Sequence, residues 1–218
     1  MPEAPTRPSD RALGVLISGR GSNLQALIDA IASGQLDAHI AVVISNRRDA
    51  DGLARARAAG IEAVWMDAGE FATRAAYDAA IAQKLRDSGV RVVCLAGYLR
   101  LVGAPLLDAY PNAILNIHPS LLPAFPGLDA QRQALEYGVK VTGITVHFVN
   151  AELDAGPIVI QRPVIVADDD SVESLAARIL VEEHRAYPDA VRQVLDGTWR
   201  VDGRRIIESA KSAKRHPV

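Results

Sequence analysis

Two polar residues near the middle of the chain have the types and the spacing needed for carbonyl chemistry. Asn116 and His118 end an apolar, strand-like run, so in an extended strand both side chains point to the same face. An amide N–H and an imidazole placed together can stabilise negative charge on a carbonyl oxygen and move protons. A lone strand histidine is more often structural, but an asparagine two residues before it favours a catalytic pair.

A third candidate, Asp154, lies in the turn-rich segment Glu-Leu-Asp-Ala-Gly-Pro at 152–157. By spacing alone it is a surface residue of an Asx turn. If the fold brings its carboxylate to His118, we expect it to raise the histidine pKa and to orient the ring.

A glycine-rich loop, Ser-Gly-Arg-Gly-Ser-Asn at 18–23, joins a predicted strand to a predicted helix. Such a turn presents backbone N–H groups and the positive end of a helix dipole to an anion. The dinucleotide fingerprint is absent because Leu24 stands where a third glycine is needed, and no Walker Gly-Lys-Ser/Thr follows. Two interpretations stay open: a monophosphate held by Gly21, Ser22 and Asn23, or a tight turn without ligand, capped by Ser22 or Asn23.

Other reactive residue types have structural interpretations. Ser120 is two residues from His118 with a proline between them, so a Ser–His nucleophile pair would be strained. His147 lies in a predicted strand and is expected to be packed or hydrogen-bonded. Cys94, in an apolar run, is expected to be a small buried hydrophobe. No His/Cys spacing resembles a zinc site, so the sequence predicts no metal.

Alternating strand and helix patterns must position these residues. Apolar, β-branched runs predict strands at 13–18, 40–45, 62–66, 91–96 and 114–118. Helical patterns between them predict helices at 22–33, 50–59, 73–88 and 104–110. This alternation predicts an α/β protein with a mostly parallel sheet and helices on both faces.

The last third of the chain has a different pattern. Strand-like runs at 142–149 and 158–166 predict an antiparallel addition to the sheet. A long helix is expected at 172–195, with Pro188 as a possible point of disturbance. A hairpin is expected at 199–207, turning at Asp202-Gly203. We predict a flexible N-terminal segment (1–12), one domain (13–208) and a basic tail (209–218).

The composition limits the possible partners. The chain has 218 residues, of which 49% are hydrophobic and 23% charged, enough for one domain with its own core. A net charge of −2 and a pI of about 6.2 provide no overall positive field, which argues against nucleic acid as a partner. The polar N-terminus does not resemble a secretory signal, and no apolar run approaches the roughly 20 residues that span a bilayer. These features predict a cytoplasmic protein that does not associate with membranes.

Five segments together resemble one enzyme family. They lie at 16–26, 95–100, 115–123 (Leu-Asn-Ile-His-Pro-Ser-Leu-Leu-Pro), 145–149 and 153–157. In this order and spacing, from about residue 13 to 195, the chain resembles the phosphoribosylglycinamide formyltransferases of purine biosynthesis, also called glycinamide ribonucleotide transformylases. The 115–123 segment alone marks only the wider family of 10-formyltetrahydrofolate enzymes.

The resemblance implies a Rossmann-like fold and formyl transfer from 10-formyltetrahydrofolate to glycinamide ribonucleotide, without a metal. It implies a phosphate-binding half (about 13–112) and a folate-binding, catalytic half (about 113–208), in a monomer or homodimer. The implied catalytic residues are Asn116, His118 and Asp154. Gly21, Ser22, Asn23 and Glu183 would bind the nucleotide. The implied folate-binding residues are Arg74, Leu99, Arg100, Leu101, Val102, Asn116, Asn150 and Asp154.

Some features separate this chain from relatives and rivals. Arg20 stands where some relatives carry Asn, and Ala124 and Asp129 replace basic or His residues. Formyltetrahydrofolate hydrolases carry an additional N-terminal domain, for which no room is expected before Leu13. Methionyl-tRNA formyltransferases need a further C-terminal domain and a basic surface. A non-catalytic nucleotide-binding module would not need the three catalytic residue types.

Overall fold

A computed structural model describes residues 11–197 and 199–208, and a seven-stranded sheet runs through them. Its strands are β1 (Ala12–Ile17), β2 (His39–Ser45), β3 (Ala63–Trp65), β4 (Val92–Leu95), β5 (Ile114–His118), β6 (Val141–Phe148) and β7 (Ile158–Ile165). The order is β3-β2-β1-β4-β5-β6-β7; the first five pair in parallel, whereas β6 and β7 are antiparallel. The predicted parallel sheet with an antiparallel addition is therefore confirmed.

Six α-helices cover the two faces of this sheet in the described part of the chain. They are α1 (Ser22–Ala32), α2 (Asp51–Ala58), α3 (Arg74–Asp87), α4 (Ala104–Ala109), α5 (Ala130–Tyr137) and α6 (Val172–Leu195). One core cluster joins α1, α2 and α6 to the sheet, and a second joins α3 and α4 to its other face. Helices on both faces are thus confirmed. No described helix is both long and apolar enough to cross a membrane.

Helix α5 and the turn of the C-terminal hairpin differ from the sequence-based expectations, whereas α6 has the expected bounds. Helix α5 was not predicted, because its apolar pattern is short and only Ala130 and Ala134 are buried. Helix α6 continues through Pro188. In the hairpin of β8 (Trp199–Asp202) and β9 (Arg205–Glu208), Asp202 pairs with Arg205. The turn is therefore Gly203-Arg204 rather than Asp202-Gly203, and the φ of 61° at Gly203 suits glycine.

The predicted terminal segments fall largely outside the described residues. Positions 1–10 and 209–218 are not described, so the flexible segment and the basic tail stay predictions, as does the division of the domain into two halves. Strand β1 begins at Ala12, one residue before the expected start.

The strand order places a ligand crevice at the carboxyl ends of the parallel strands. The chain leaves β1 toward β2 on one side, and β4 and β5 follow on the other side of β1. Ligands of open α/β sheets bind where the strand order reverses, beyond the carboxyl ends of the strands. Three segments lie at this end of the strands: the glycine loop after β1, the 97–103 segment after β4 and the residues that follow β5.

Candidate active site

Asn116 and His118 lie at the carboxyl end of β5, with their side chains on the same face as expected from strand alternation. Strand β6 runs antiparallel beside them, so that His147 stands opposite Asn116 and Thr145 opposite His118. His118 is buried, while Asn116 is partly exposed. The pair is therefore held on two rigid strands rather than on a loop.

The hydrogen bonds of His118 define the protonation of its ring. Its Nε2 lies 2.8 Å from the carbonyl oxygen of Phe125. A carbonyl can only accept, so Nε2 must carry a proton. The other ring nitrogen, Nδ1, lies 3.5 Å from Oδ2 of Asp154. In the neutral ring this nitrogen has a free lone pair beside a carboxylate, ready to accept a proton.

Asp154 is brought to His118 by the loop between β6 and β7. Its side chain is only 9% exposed, and Oδ2 accepts a 2.8 Å hydrogen bond from the Gly127 N–H. The surface Asx-turn interpretation, which spacing alone favoured, is therefore wrong. The residue has a φ of 50°, a left-handed conformation uncommon outside glycine and often found at functional sites. Gly156 holds the loop, since a Cβ there would lie 1.8 Å from the Phe148 carbonyl oxygen.

The Asp154 carboxyl is set up to stay ionised. Burial alone would raise its pKa, but the contact with His147, the Gly127 N–H and the charge of His118 outweigh that effect and lower the pKa below its usual value. The carboxylate therefore persists at neutral pH.

The pKa of His118 is set by opposing influences. Burial is the largest influence and lowers its pKa; the Phe125 carbonyl and Asp154 raise it, and His147 lowers it further. The net direction is below the usual histidine value of about 6.5. Asp154 raises this pKa, as expected, but the net pKa is lowered because desolvation exceeds the attraction of one carboxylate.

His147 is a site residue that the sequence analysis treated only as structural. Its Nδ1 lies 2.9 Å from the Phe148 carbonyl oxygen and so carries the proton. In the neutral ring Nε2 accepts a 3.2 Å hydrogen bond from Asn116 Nδ2, and in the charged ring its N–H faces Asp154 Oδ1 at 3.7 Å. This contact fixes the orientation of the Asn116 amide and leaves the second N–H of Nδ2 for a ligand. The place of His147 in the site follows only from the antiparallel register of β6 against β5.

The loop after β5 is held by a buried hydroxyl network. Thr145 donates to the Ser120 carbonyl at 2.7 Å and accepts from the Leu122 N–H at 3.0 Å. The Ser120 hydroxyl donates to the Ala124 carbonyl at 2.5 Å. Ser120 is therefore a structural residue, in agreement with its predicted role, and the Leu122–Pro123 peptide is cis. The network positions Phe125, the partner of His118.

The glycine loop forms an open helix terminus. Gly21 is the N-cap of α1 with a φ of 71°, and no side chain caps the helix. The interpretation of a turn capped by Ser22 or Asn23 is therefore wrong, and the first N–H groups of α1 are left for a ligand. A Cβ on Gly21 would lie 2.6 Å from the Gly52 Cα, so the loop packs directly on α2.

Asn23 and Glu183 form a buried pair beside this loop. Asn23 Nδ2 donates to Glu183 Oε2 at 2.8 Å, across 160 residues of chain. The Asn23 Oδ1 atom is buried and has no hydrogen-bond partner. Burial raises the pKa of Glu183, while the Asn23 bond and the charge of Arg20 lower it. An orphan acceptor beside a carboxylate suits a ligand that carries hydroxyl or N–H donors.

The predicted folate-binding residues Arg74 and 99–102 meet along one wall of the crevice. Arg74 donates to the Leu101 carbonyl at 2.6 Å, and the Leu99 N–H donates to Ser18 Oγ at 2.9 Å. Leu99 and Leu101 are 68% and 58% exposed, an unusual state for leucine, and Val102 is partly buried. Arg100 instead stacks over the Tyr77 ring at 5.1 Å.

Buried Asp78 holds the end of this wall. Its Oδ2 accepts from the Gly103 N–H at 2.8 Å and lies 3.8 Å from Arg74 Nε. Asn150 is not gathered into the cluster, because its side chain is exposed and closes a local turn by accepting from the Glu152 N–H. Among the described residues, no group of three or more His, Cys, Asp or Glu side chains is placed to hold a metal ion.

Fold and site together define an α/β protein with a crevice that combines an uncapped glycine loop with an amide, two imidazoles and a carboxylate. A family model described as formyl transferase matches residues 12–191. The chain therefore belongs to the formyl transferase family.

Individual relatives agree with this assignment. The phosphoribosylglycinamide formyltransferase of Escherichia coli K12 is 44% identical over 190 residues, covering 87% of each chain. A crystal structure of glycinamide ribonucleotide transformylase 1 from Symbiobacterium toebii has 54% identity and a TM-score of 0.91, covering 95% of this chain and 98% of that one. The trifunctional purine biosynthetic protein adenosine-3 of Bos taurus is 44% identical over 195 residues. The match covers 89% of this chain but only 19% of the length of the bovine protein.

Proposed function

We propose that this chain transfers the formyl group of 10-formyltetrahydrofolate to the amine of 5-phosphoribosylglycinamide. The products are formylglycinamide ribonucleotide and tetrahydrofolate, a step of purine biosynthesis. The observation that carries the proposal is the convergence of Asn116, His118 and Asp154 at the carboxyl end of β5. A cytoplasmic location, a monomeric or homodimeric state and the absence of nucleic-acid and membrane partners remain predictions.

The donor set of the site fits a formyl folate. The co-substrate supplies the formyl carbon, which is the electrophile. Asn116 presents an N–H that His147 leaves free, and this N–H can bind the formyl oxygen as it becomes negative. The exposed Leu99 and Leu101 offer apolar surface to an aromatic ring system. Arg74 and Asn150 are proposed as further folate contacts.

His118 and Asp154 move the proton. Neutral His118 accepts at Nδ1 the proton that the attacking amine loses, since this nitrogen has a lone pair in the free protein. The resulting imidazolium lies between the Asp154 carboxylate and the Phe125 carbonyl, which both stabilise its charge. His118 then returns the proton to the folate nitrogen that departs. No covalent bond to the enzyme is needed.

The glycine loop positions the nucleophile. The N–H groups of Gly21, Ser22 and Asn23 are proposed to bind the phosphate of the ribonucleotide, and Glu183 its ribose or glycinamide end. Holding the amine near its target in this way can lower the activation free energy by several kcal/mol, about 7 or more in well-oriented reactions.

A spectrophotometric assay tests the proposal directly. The purified chain is mixed with 10-formyl-5,8-dideazafolate and glycinamide ribonucleotide, and the deformylated folate analogue is followed. Transfer that requires both substrates supports the proposal. Release of formate without the nucleotide would indicate a hydrolase, and nucleotide binding without turnover would indicate a binding module.

A further inference from the structure

A surface cavity lies at the opposite end of the parallel strands from the crevice, where β4 and β5 begin. It has a volume of about 390 Å³, and its walls include Arg86 at the end of α3, Arg91 before β4 and Tyr110 after α4. Strands β4 and β5 separate it from the crevice by four to five residues, which corresponds to about 15 Å at the usual rise per strand residue. None of the residues placed in the proposed active site lines it.

The cavity carries two positive charges that are not neutralised locally. Within residues 11–197 and 199–208, no carboxylate oxygen lies within 4.0 Å of either guanidinium. Arg86 makes one 2.8 Å hydrogen bond to the neutral Gln83 amide. Both side chains are exposed, so most of their N–H groups remain available to an acceptor. Two free guanidinium groups on one cavity attract an anion, and their planar donors match the oxygens of a phosphate.

Tyr110 contributes an independent signal. The residue is only 6% exposed, yet its hydroxyl is buried without any hydrogen-bond partner. Burial raises the pKa of Tyr110 to about 12, with a smaller opposing effect of the nearby Arg86, so the hydroxyl is a neutral donor. A buried polar group without a partner costs about 1–3 kcal/mol and is rare in native proteins. The hydroxyl is covered in the free protein, so an acceptor that displaced the neighbouring side chains would reach it and relieve this cost.

From these contacts we infer that the Arg86–Arg91–Tyr110 cavity binds the phosphate group of a small ligand, at a site separate from the proposed active site. The guanidinium groups bind the phosphate oxygens, and the Tyr110 hydroxyl donates to one of them once the side chains that cover it move aside. The remaining wall is apolar, formed by Val90, Pro111 and Ala113 among others. A cavity of this size falls within the usual range for small-molecule sites, so a nucleoside monophosphate fits as well as free phosphate.

Backbone amide NMR can test the cavity in the full chain. Sodium phosphate and AMP are titrated separately, with constant ionic strength, and the amides of Gly89, Arg91 and Ala113 are compared with those of Gly21 and Ser22. Three variants are titrated alongside the wild type. Arg86→Gln/Arg91→Gln removes both charges, Tyr110→Phe removes only the hydroxyl, and Arg57→Gln/Arg204→Gln removes two exposed charges elsewhere.

We expect saturable shifts at Gly89, Arg91 and Ala113. The affinity should fall more than tenfold in Arg86→Gln/Arg91→Gln and about three- to tenfold in Tyr110→Phe, with no change in the control. Tighter binding of AMP at the same amides identifies a nucleotide, and equal affinity identifies free phosphate. Shifts confined to Gly21 and Ser22, or an equal loss in Arg57→Gln/Arg204→Gln, would overturn the inference. Neither result bears on the formyl-transfer assay, which is read separately.

Discussion

The two parts of the crevice are built in opposite ways. The glycine loop, proposed to bind phosphate, is continuous in sequence, from residue 18 to 23, and offers backbone N–H groups at the start of α1. The proposed catalytic cluster is assembled from β5, from β6 and from two loops that carry Phe125 and Asp154. The loop depends on its glycines and on free backbone N–H groups, whereas the cluster depends on four side chains that contact one another.

The left-handed residues show the same contrast. In the glycine loop the positive φ falls on Gly21, which adopts it without penalty. In the two loops of the cluster it falls on Phe125 and Asp154, where it costs about 1–3 kcal/mol per residue unless the surroundings enforce it. The cluster is therefore held in place by tertiary contacts, and we expect side-chain changes there to act on kcat, while changes in the loop act on binding.

Removing the proton carrier should give the largest effect. His118→Ala is expected to lower kcat by about 10²- to 10⁴-fold, because the proposed mechanism assigns the proton transfer to this residue. Binding of the ribonucleotide, measured by calorimetry, should stay within a few-fold of wild type. His39→Ala, at the far end of β2, is the control. Near-normal turnover in His118→Ala would remove this residue from the mechanism.

Removing the oxyanion donor should have a somewhat smaller effect. Asn116→Ala is expected to lower kcat by about 10²- to 10³-fold, since one preorganised hydrogen bond to the developing charge is lost. The Michaelis constants should change much less than kcat. The comparison between cluster and loop would fail if Asn116→Ala raised the nucleotide Michaelis constant and left kcat intact.

The charge balance around His118 predicts a pH profile. Because the net pKa of His118 is lowered, kcat/KM should be constant at neutral pH and fall only as the pH drops below about 6.5. Asp154 raises this pKa, so Asp154→Asn should move it further down and reduce kcat by about tenfold to a hundredfold. Imidazole ¹⁵N shifts of His118 measure the pKa directly. An upward shift in Asp154→Asn would contradict the proposed arrangement.

The contrast also explains what could be predicted from the sequence. Strands β1, β2, β4 and β5 are apolar runs that need no information beyond local pattern, and their predicted bounds agree with the structure within two residues. The glycine loop was found for the same reason. Its ligand remained open, because the orphan Oδ1 of Asn23 becomes visible only once Glu183 is packed beside it.

The cluster could be derived only in part. Asn116 and His118 follow from strand alternation, but Asp154 was reached through a family resemblance, since its spacing indicates a surface turn. The role of His147 depends on the register between β5 and β6. The direction of the His118 pKa depends on burial, which no local pattern reports, so its net lowering could not be predicted from the sequence.

A matched glycine pair tests the loop. Gly21→Ala places a Cβ 2.6 Å from the Gly52 backbone in a left-handed conformation, whereas a Cβ on Gly19 meets nothing within 4 Å. Gly21→Ala should raise the nucleotide Michaelis constant about tenfold, equivalent to about 1.4 kcal/mol, with little change in kcat. Gly19→Ala should be close to wild type. Equal Michaelis constants in the two variants would argue that the phosphate binds elsewhere.

The smallest effect is expected at Asp78, which supports the proposed folate wall without touching a substrate. Asp78→Ala leaves the Gly103 N–H without its acceptor, at a cost of about 1–3 kcal/mol, and frees Arg74. The folate Michaelis constant should rise a few-fold, while the nucleotide constant stays unchanged. Asp78→Asn keeps an acceptor oxygen at the same place and should recover most of the loss. If both variants raise the folate Michaelis constant equally, the charge of Asp78 rather than its hydrogen bond to Gly103 holds the wall. If neither variant changes this constant, the 99–102 segment is not part of the folate site.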